Sequence, residues 1–178
     1  MKFKLRDARL AFPNLFTPYK ESFGGRFIIP PDHPQVTEFK NVMKAAAKEK
    51  WPDKWQTIYA ALDKQDKLAL HDGATKAEYE GFEGNLFVAA NSKVRPTILD
   101  QMRNELSQAD GKPYSGCYVV ALLEIWAQDH KEHGKRINAN LRGVQFLRDG
   151  DAFNGGGKAA DADEFDDISD EASDPLLS

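Results

Sequence analysis

Cysteine is almost missing from this sequence. Cys117 is the single one in 178 residues, which excludes an internal disulfide and an all-cysteine metal site within one chain. No apolar run is long enough to span a bilayer. The start, Met1-Lys2-Phe3-Lys4-Leu5-Arg6, alternates charged and apolar side chains where a secretory leader would carry an apolar core. These absences predict a soluble, cytosolic chain with no membrane role. Its length suits one domain with a core plus a tail, and is too short for two ordinary domains.

Signatures of chemistry are equally thin. Gly155-Gly156-Gly157-Lys158 invites comparison with a phosphate loop. That loop needs a glycine and a Ser or Thr where Ala152 and Ala159 stand. No Gly-x-Ser-x-Gly elbow is present. His130 and His133, beside Asp129 and Glu132, have metal-like spacing but no third ligand, and they fall between two predicted strands. They read as a polar hairpin turn. The expectation is a protein that is not an enzyme, with no catalytic residue, cofactor or metal, and with Cys117 in the core.

Charge is unevenly spread. The chain carries −4 overall, yet residues 151–178 hold nine acids and one base, Lys158, which leaves 19 acids and 23 bases in residues 1–150. A body near +4 is thus joined to a tail near −8. Such asymmetry marks polyanion binding or a tail that recruits partners. The glycines and the self-repelling acids predict that the tail, 151–178, is disordered behind a flexible hinge.

Within 1–150 the pattern is mostly β with a helical insert over about 34–64. Residues 2–12 alternate, with Phe3 and Leu5 on one face and Lys2, Lys4 and Arg6 on the other. Arg26-Phe27-Ile28-Ile29 is a short strand ended by Pro30-Pro31. Helical spacing follows at Val36, Phe39, Val42, Met43, Ala46 and Ala47, and after Pro52 at Trp55, Ile58, Tyr59 and Leu62. Strands resume at 85–93, 116–128 and 137–148. Five strands without a βαβ rhythm predict a five-stranded antiparallel barrel of the oligonucleotide-binding (OB) kind.

The long strand places Cys117, Val119, Ala121, Leu123 and Ile125 on a core face and Tyr118, Val120, Leu122, Glu124 and Trp126 on the opposite one. Tyr118 and Trp126 give that outward face flat rings on which bases could stack. Cover by the insert, or by a second copy in a homodimer, is the alternative. Phe87 shares a strand face with Ala89, Asn91 and Lys93, and Arg95 follows before Pro96. Lys135, Arg136, Arg142 and Arg148 form a basic run with no acid between Glu132 and Asp149. Phosphates need such cations, although a solvated charged face reads the same way. Gly143 predicts a bulge or a close backbone approach. The nucleic-acid candidates are Arg26, Phe87, Lys93, Arg95, Tyr118, Trp126, Lys135, Arg136 and Arg142. Helix lysines 40, 44, 48, 50 and 54 read as a solvent face.

Three segments carry a resemblance. They are Ala90-Asn91-Ser92-Lys93 with Arg95-Pro96, then Tyr114-Ser115-Gly116-Cys117-Tyr118, and Asn140-Leu141-Arg142-Gly143-Val144-Gln145 with Leu147-Arg148-Asp149-Gly150. Together they resemble a phage family, once catalogued as a domain of unknown function, whose enterobacterial-phage member binds single-stranded DNA. The layout is also similar to replicative phage binding proteins with acidic tails. The resemblance implies an OB barrel that binds single-stranded DNA during phage replication or recombination, in the cytoplasm of the infected bacterium. It further implies that the acids Asp161, Asp163, Glu164, Asp166, Asp167, Asp170, Glu171 and Asp174 compete with DNA and contact phage or host replication proteins. Related tails commonly end on an aromatic residue, whereas this one ends Asp174-Pro175-Leu176-Leu177-Ser178. A strand-annealing accessory or an RNA-binding module would carry the same charges.

Overall fold

The computed structural model describes residues 1–153 and 162–172. Its elements are β1 (Lys2–Tyr19), β2 (Ser22–Ile29), α1 (Val36–Lys50), α2 (Trp55–Lys64), β3 (Leu70–Asp72), β4 (Leu86–Ser92), β5 (Thr97–Leu99), β6 (Tyr118–His130) and β7 (Gly134–Arg148). Strands β4, β2, β1, β6 and β7 pair in that order, all antiparallel. A parallel bridge from Asn91 of β4 to Asn140 of β7 closes the circuit. The result is a mostly β, closed five-stranded OB barrel, as the strand pattern predicts, with β3 added to β4 and β5 to β7.

Strand β1 is longer than the alternation of residues 2–12 suggests. One half pairs with β6 and the other with β2, and it turns between them at bulges. Asp7 and Phe12 sit in those bulges with φ of 60° and 49°. Each inserted residue bends the strand and adds twist, which is how one strand wraps a small barrel.

The inward face of β6 is as the alternation requires. Cys117, Val119, Ala121, Leu123 and Ile125 are all fully buried. Helix α1 plugs the barrel with Phe39, Met43, Ala46 and Ala47, and Phe39 meets Phe3 edge-on at 5.1 Å. From α2, Leu62 is buried, with Trp55, Ile58 and Tyr59 packed partly against the same core. The Trp51 indole N–H donates to Asp129 at 3.0 Å and ties the helices to the far end of β6. The insert therefore fills the barrel interior and leaves the outward face of β6 half-exposed.

A second apolar cluster lies outside the barrel. Ala11, Ile28 and Phe87 are covered there by Phe82 of the β3–β4 connection, with Phe153 packed alongside. Contacts with the barrel thus continue three residues past Gly150. Arg9 donates to the carbonyls of Gly116 and Asp151 at 3.0 and 2.7 Å, and its guanidinium lies 4.2 Å from the Phe153 ring centre. The Phe153 N–H donates to Ser115. Gly81, with φ of 89°, passes so close to the Phe153 ring that a Cβ there would overlap it.

Farther on, where the sequence predicts disorder, residues 162–172 form two single turns, a 3-10 turn at Ala162–Glu164 and α3 at Ser169–Ala172. The Asp167 carboxylate accepts from the Ser169 N–H and hydroxyl at 2.9 and 2.6 Å, starting the second turn. The glycine hinge 155–157, Asp161 and Asp174 lie outside the described residues, and every buried apolar side chain among the described residues falls between Phe3 and Phe146.

This arrangement sets a stability test. A chain ending at Phe153 should unfold in urea at the midpoint of the full chain. One ending at Gly150 should be about 1–2 kcal/mol less stable, having lost a half-covered ring and its anchoring bonds. Equal midpoints for the two truncations would show that Phe153 adds nothing to the barrel.

Candidate nucleic-acid interface

The outer surface of β2, β4 and β7 carries one continuous groove across the barrel's closing seam. Three cavities of about 460, 370 and 260 Å³ adjoin along it, and Asn91 lines all three. The seam pair, Asn91 and Asn140, is the groove floor. Gly24 lies opposite Asn91 on β2. A Cβ at Gly24 would overlap the Ala90 carbonyl and the Asn91 amide oxygen, so only glycine admits that side chain here.

Aromatic rings stand at both ends. At one, Phe12 and Tyr79 meet edge-on at 5.0 Å, are 42% and 44% exposed, and share the wall with Tyr19. At the other, Trp126 is 39% exposed, and its indole N–H donates to Asn140 at 3.2 Å, fixing the ring over the seam. Exposed rings held in place offer stacking faces with little ordering cost.

Cations line the space between. Arg26 is half-buried beside Gly25, and burial pushes its guanidinium below its ordinary pKa. Its one hydrogen bond is a long one, 3.4 Å to the Gly25 carbonyl, and no carboxylate pairs with it among the described residues. A desolvated, unpaired guanidinium is costly, and an incoming anion would relieve that cost. Lys93 and Arg142 border the Trp126 end and Arg136 the third cavity. Arg142 is the extra residue of a β7 bulge, since Leu122 faces Gly143 and Leu123 faces Leu141, so the bulge predicted at Gly143 is present. Arg142 also reaches Glu124 at 3.4 Å.

Five sequence candidates thus meet in one groove: Arg26, Lys93, Trp126, Arg136 and Arg142. Arg95 lines none of the three cavities, and its guanidinium lies 5.3 Å from the Phe16 ring centre. Phe87 requires correction. Alternation puts it on the outward face, but Phe82 caps it to 3% exposure and no base can reach it. Tyr118 lies eight residues from Trp126 along β6, roughly 26 Å, and packs between Arg148 and Arg9 at 4.2 and 5.8 Å in a separate cleft. Lys135 pairs with Asp129 at 3.7 Å on the helical side. Sequence reasoning missed Phe12, Tyr19, Lys76 and Tyr79. The Gly24-Gly25 pair was the one local signal of a close approach there.

His130 and His133 occupy the β6–β7 turn as predicted. Their rings stack at 4.7 Å, and His130 Nδ1 accepts the backbone N–H groups of Glu132 and His133. The pair shapes the hairpin. No group of three potential metal ligands exists among the described residues, and no helix there is long and apolar enough to cross a membrane.

Comparison with known proteins gives the family and the fold. The family described as "Enterobacter phage Enc34, ssDNA-binding protein" matches residues 1–176. Protein p50 of Acyrthosiphon pisum secondary endosymbiont phage 1 is 44% identical over 178 residues, covering 95% of each chain. The single-stranded DNA-binding protein of bacteriophage Enc34 superposes with a TM-score of 0.70 at 26% identity, over 93% of this chain and 90% of that one. Its complex with single-stranded DNA gives 0.71 at 24% identity, over 86% and 89%. The single-stranded DNA-binding protein gp2.5 of bacteriophage T7 shares the fold, with a TM-score of 0.59 at 13% identity over 94% and 96%.

The tight floor can be probed directly. Gly24→Ala should cost about 1–3 kcal/mol of stability, because its methyl group meets backbone oxygen. Gly25→Ala should cost less, since the nearest atom is a mobile Leu10 methyl at 3.2 Å. Equal melting points for Gly24→Ala and the unaltered protein would mean that the seam is looser than described.

Proposed function

The chain belongs to the phage single-stranded DNA-binding family that matches it over residues 1–176, and we propose that it binds single-stranded DNA, irrespective of sequence, in the groove across the barrel seam. The unpaired, half-buried Arg26 between two sets of exposed rings carries this reading. Phosphates are held by Arg26, Lys93, Arg136 and Arg142, with Arg95 at the margin. Bases stack on Trp126 at one end and on Phe12 or Tyr79 at the other. The protein acts by binding and protecting strands, without catalysis, during replication or recombination of phage DNA in the infected cell's cytoplasm.

The tail is the second part of the proposal. Its acids compete with DNA for cations of the body, and DNA binding frees them for replication partners. A tethered polyanion works at an effective concentration near millimolar, enough to occupy a weak cationic site. Support comes from the charge division between body and tail.

Oligo-dT titration, followed by tryptophan fluorescence at several salt concentrations, tests the groove. Each phosphate neutralised should add about −0.7 to the slope of log K against log salt, so Arg142→Ala should flatten the slope by roughly that amount. Trp126→Ala should weaken binding by about 1–3 kcal/mol with little change in melting temperature. An unchanged affinity in Trp126→Ala would remove that end of the groove from the site. Replacing the tail acids 161–174 by Asn and Gln should tighten binding at low salt, and the gain should shrink as salt rises. Identical low-salt affinities would leave the tail as a recruiting segment only.

A further inference from the structure

A second large cavity lies apart from the groove. It is a cleft of about 1040 Å³ between the first half of β1, the end of β2 and the start of α1. Five cations line it, Lys2, Lys4, Arg6, Arg9 and Arg148, against the acids Asp7, Asp32 and Glu38. Arg148 is spent on Asp7 at 2.8 Å. Lys2, Lys4, Arg6 and Arg9 have no carboxylate partner among the described residues.

Two observations say what such a cleft would hold. The chain leaves the barrel at its rim, because Phe153 packs against Arg9 and Gly81, both of which line the cleft. Eight residues then lead from Phe153 to Asp161, a connector that reaches at most about 29 Å. The segment they deliver, 161–174, holds eight acids and no base. It also carries two exposed apolar side chains, Phe165 and Ile168, and the cleft offers Val42 and Pro30 as apolar wall. The second observation concerns rings. Apart from buried Phe3 and His33, the cleft's one aromatic ring among the described residues is Tyr118, already packed between Arg148 and Arg9. A site with cations but no open stacking face suits carboxylates better than a base-bearing strand.

We propose that this cleft is a docking seat for the chain's own acidic segment, residues 161–174, separate from the nucleic-acid groove. The proposal rests on the reading of the tail as a competitor for body cations and adds a second place for it to go once DNA displaces it, from which replication partners then draw it. Docked in the cleft, the segment is kept out of the groove. Loss of the seat therefore drives the tail into the groove and makes it a stronger competitor.

Carbodiimide coupling of the dilute full-length protein at low salt, with mass-spectrometric mapping, tests the seat. Carboxylates resting on lysine amines become amide links. The expected links join tail acids to Lys2 and Lys4 within one molecule and persist when oligo-dT fills the groove. Links solely to Lys76 or Lys93, or none to Lys2 and Lys4, would overturn the proposal. So would links found only between isotopically distinct copies, which would assign the seat to a second molecule. In parallel, the Lys2→Gln, Lys4→Gln, Arg6→Gln triple variant should lower the low-salt oligo-dT affinity of the full chain several-fold. The same triple change should leave the tail-neutralised variant nearly unaltered. Equal losses in both backgrounds would mean that DNA itself runs through the cleft, and the docking seat would be wrong. Should oligo-dT bind no variant, the DNA-binding reading fails, and the coupling pattern alone still decides where the tail sits.

Discussion

The barrel closes through a single parallel bridge, Asn91 to Asn140, and the rest of the molecule is arranged around that joint. The other four strand pairs are antiparallel ladders several residues long. One bridge adds little energy of its own, so closure is held by what fills the interior. That filling is the alternating face of β6 together with the α1 plug. Because strand side chains alternate, residues flanking the two asparagines point inward while the asparagines point out. The seam therefore has an inside that is apolar except for Ser92 and a polar outside, and the outside is the floor of the groove. Gly24 belongs to the same constraint, as its missing Cβ is what lets Asn91 lie along the floor.

Counting cations in the sequence overstates what the surface has available. Arg148, Lys135 and Arg142 each reach a carboxylate, and those pairs are exposed, where salt and water leave them weak. Arg26 differs in kind. It is half-buried and has a single long backbone contact, so its charge is held at a cost that an anion would offset. One such residue positioned on the floor directs a phosphate more firmly than several solvated lysines at the rim. Arg142 lies between these cases, since the bulge that projects it outward also brings it to Glu124.

Alternation in a sequence reports which side chains share a face, and here it did so well. The inner face of β6, the helical insert, the hairpin at His130–His133 and the bulge near Gly143 were all legible. It does not report what lies over a face, or how far apart two residues on that face lie. Phe87 is outward on β4 but sits under Phe82, which arrives from a connection with no periodicity to read. Tyr118 and Trp126 share one outward face, yet a strand of that length carries them into different cavities. Phe12 was hidden for a local reason. It ends the alternating run and precedes Pro13, and its exposure comes from a bulge with positive φ that no residue type announces.

The cover that obscured Phe87 also organises the surface. Phe82 and Phe153 stand on the outer sheet between the groove and the basic cleft. Phe82 stacks 5.9 Å from Phe12, a groove wall, and Phe153 lies against Arg9, a cleft wall. The apolar cluster is thus a divider with a cationic surface on either side, and the acidic segment is tethered to the divider itself. From that root both surfaces are within the reach of a short connector, so the choice between them depends on affinity rather than distance. The groove combines open rings with cations and suits a strand that brings both bases and phosphates. The cleft lacks an open ring and suits carboxylates alone.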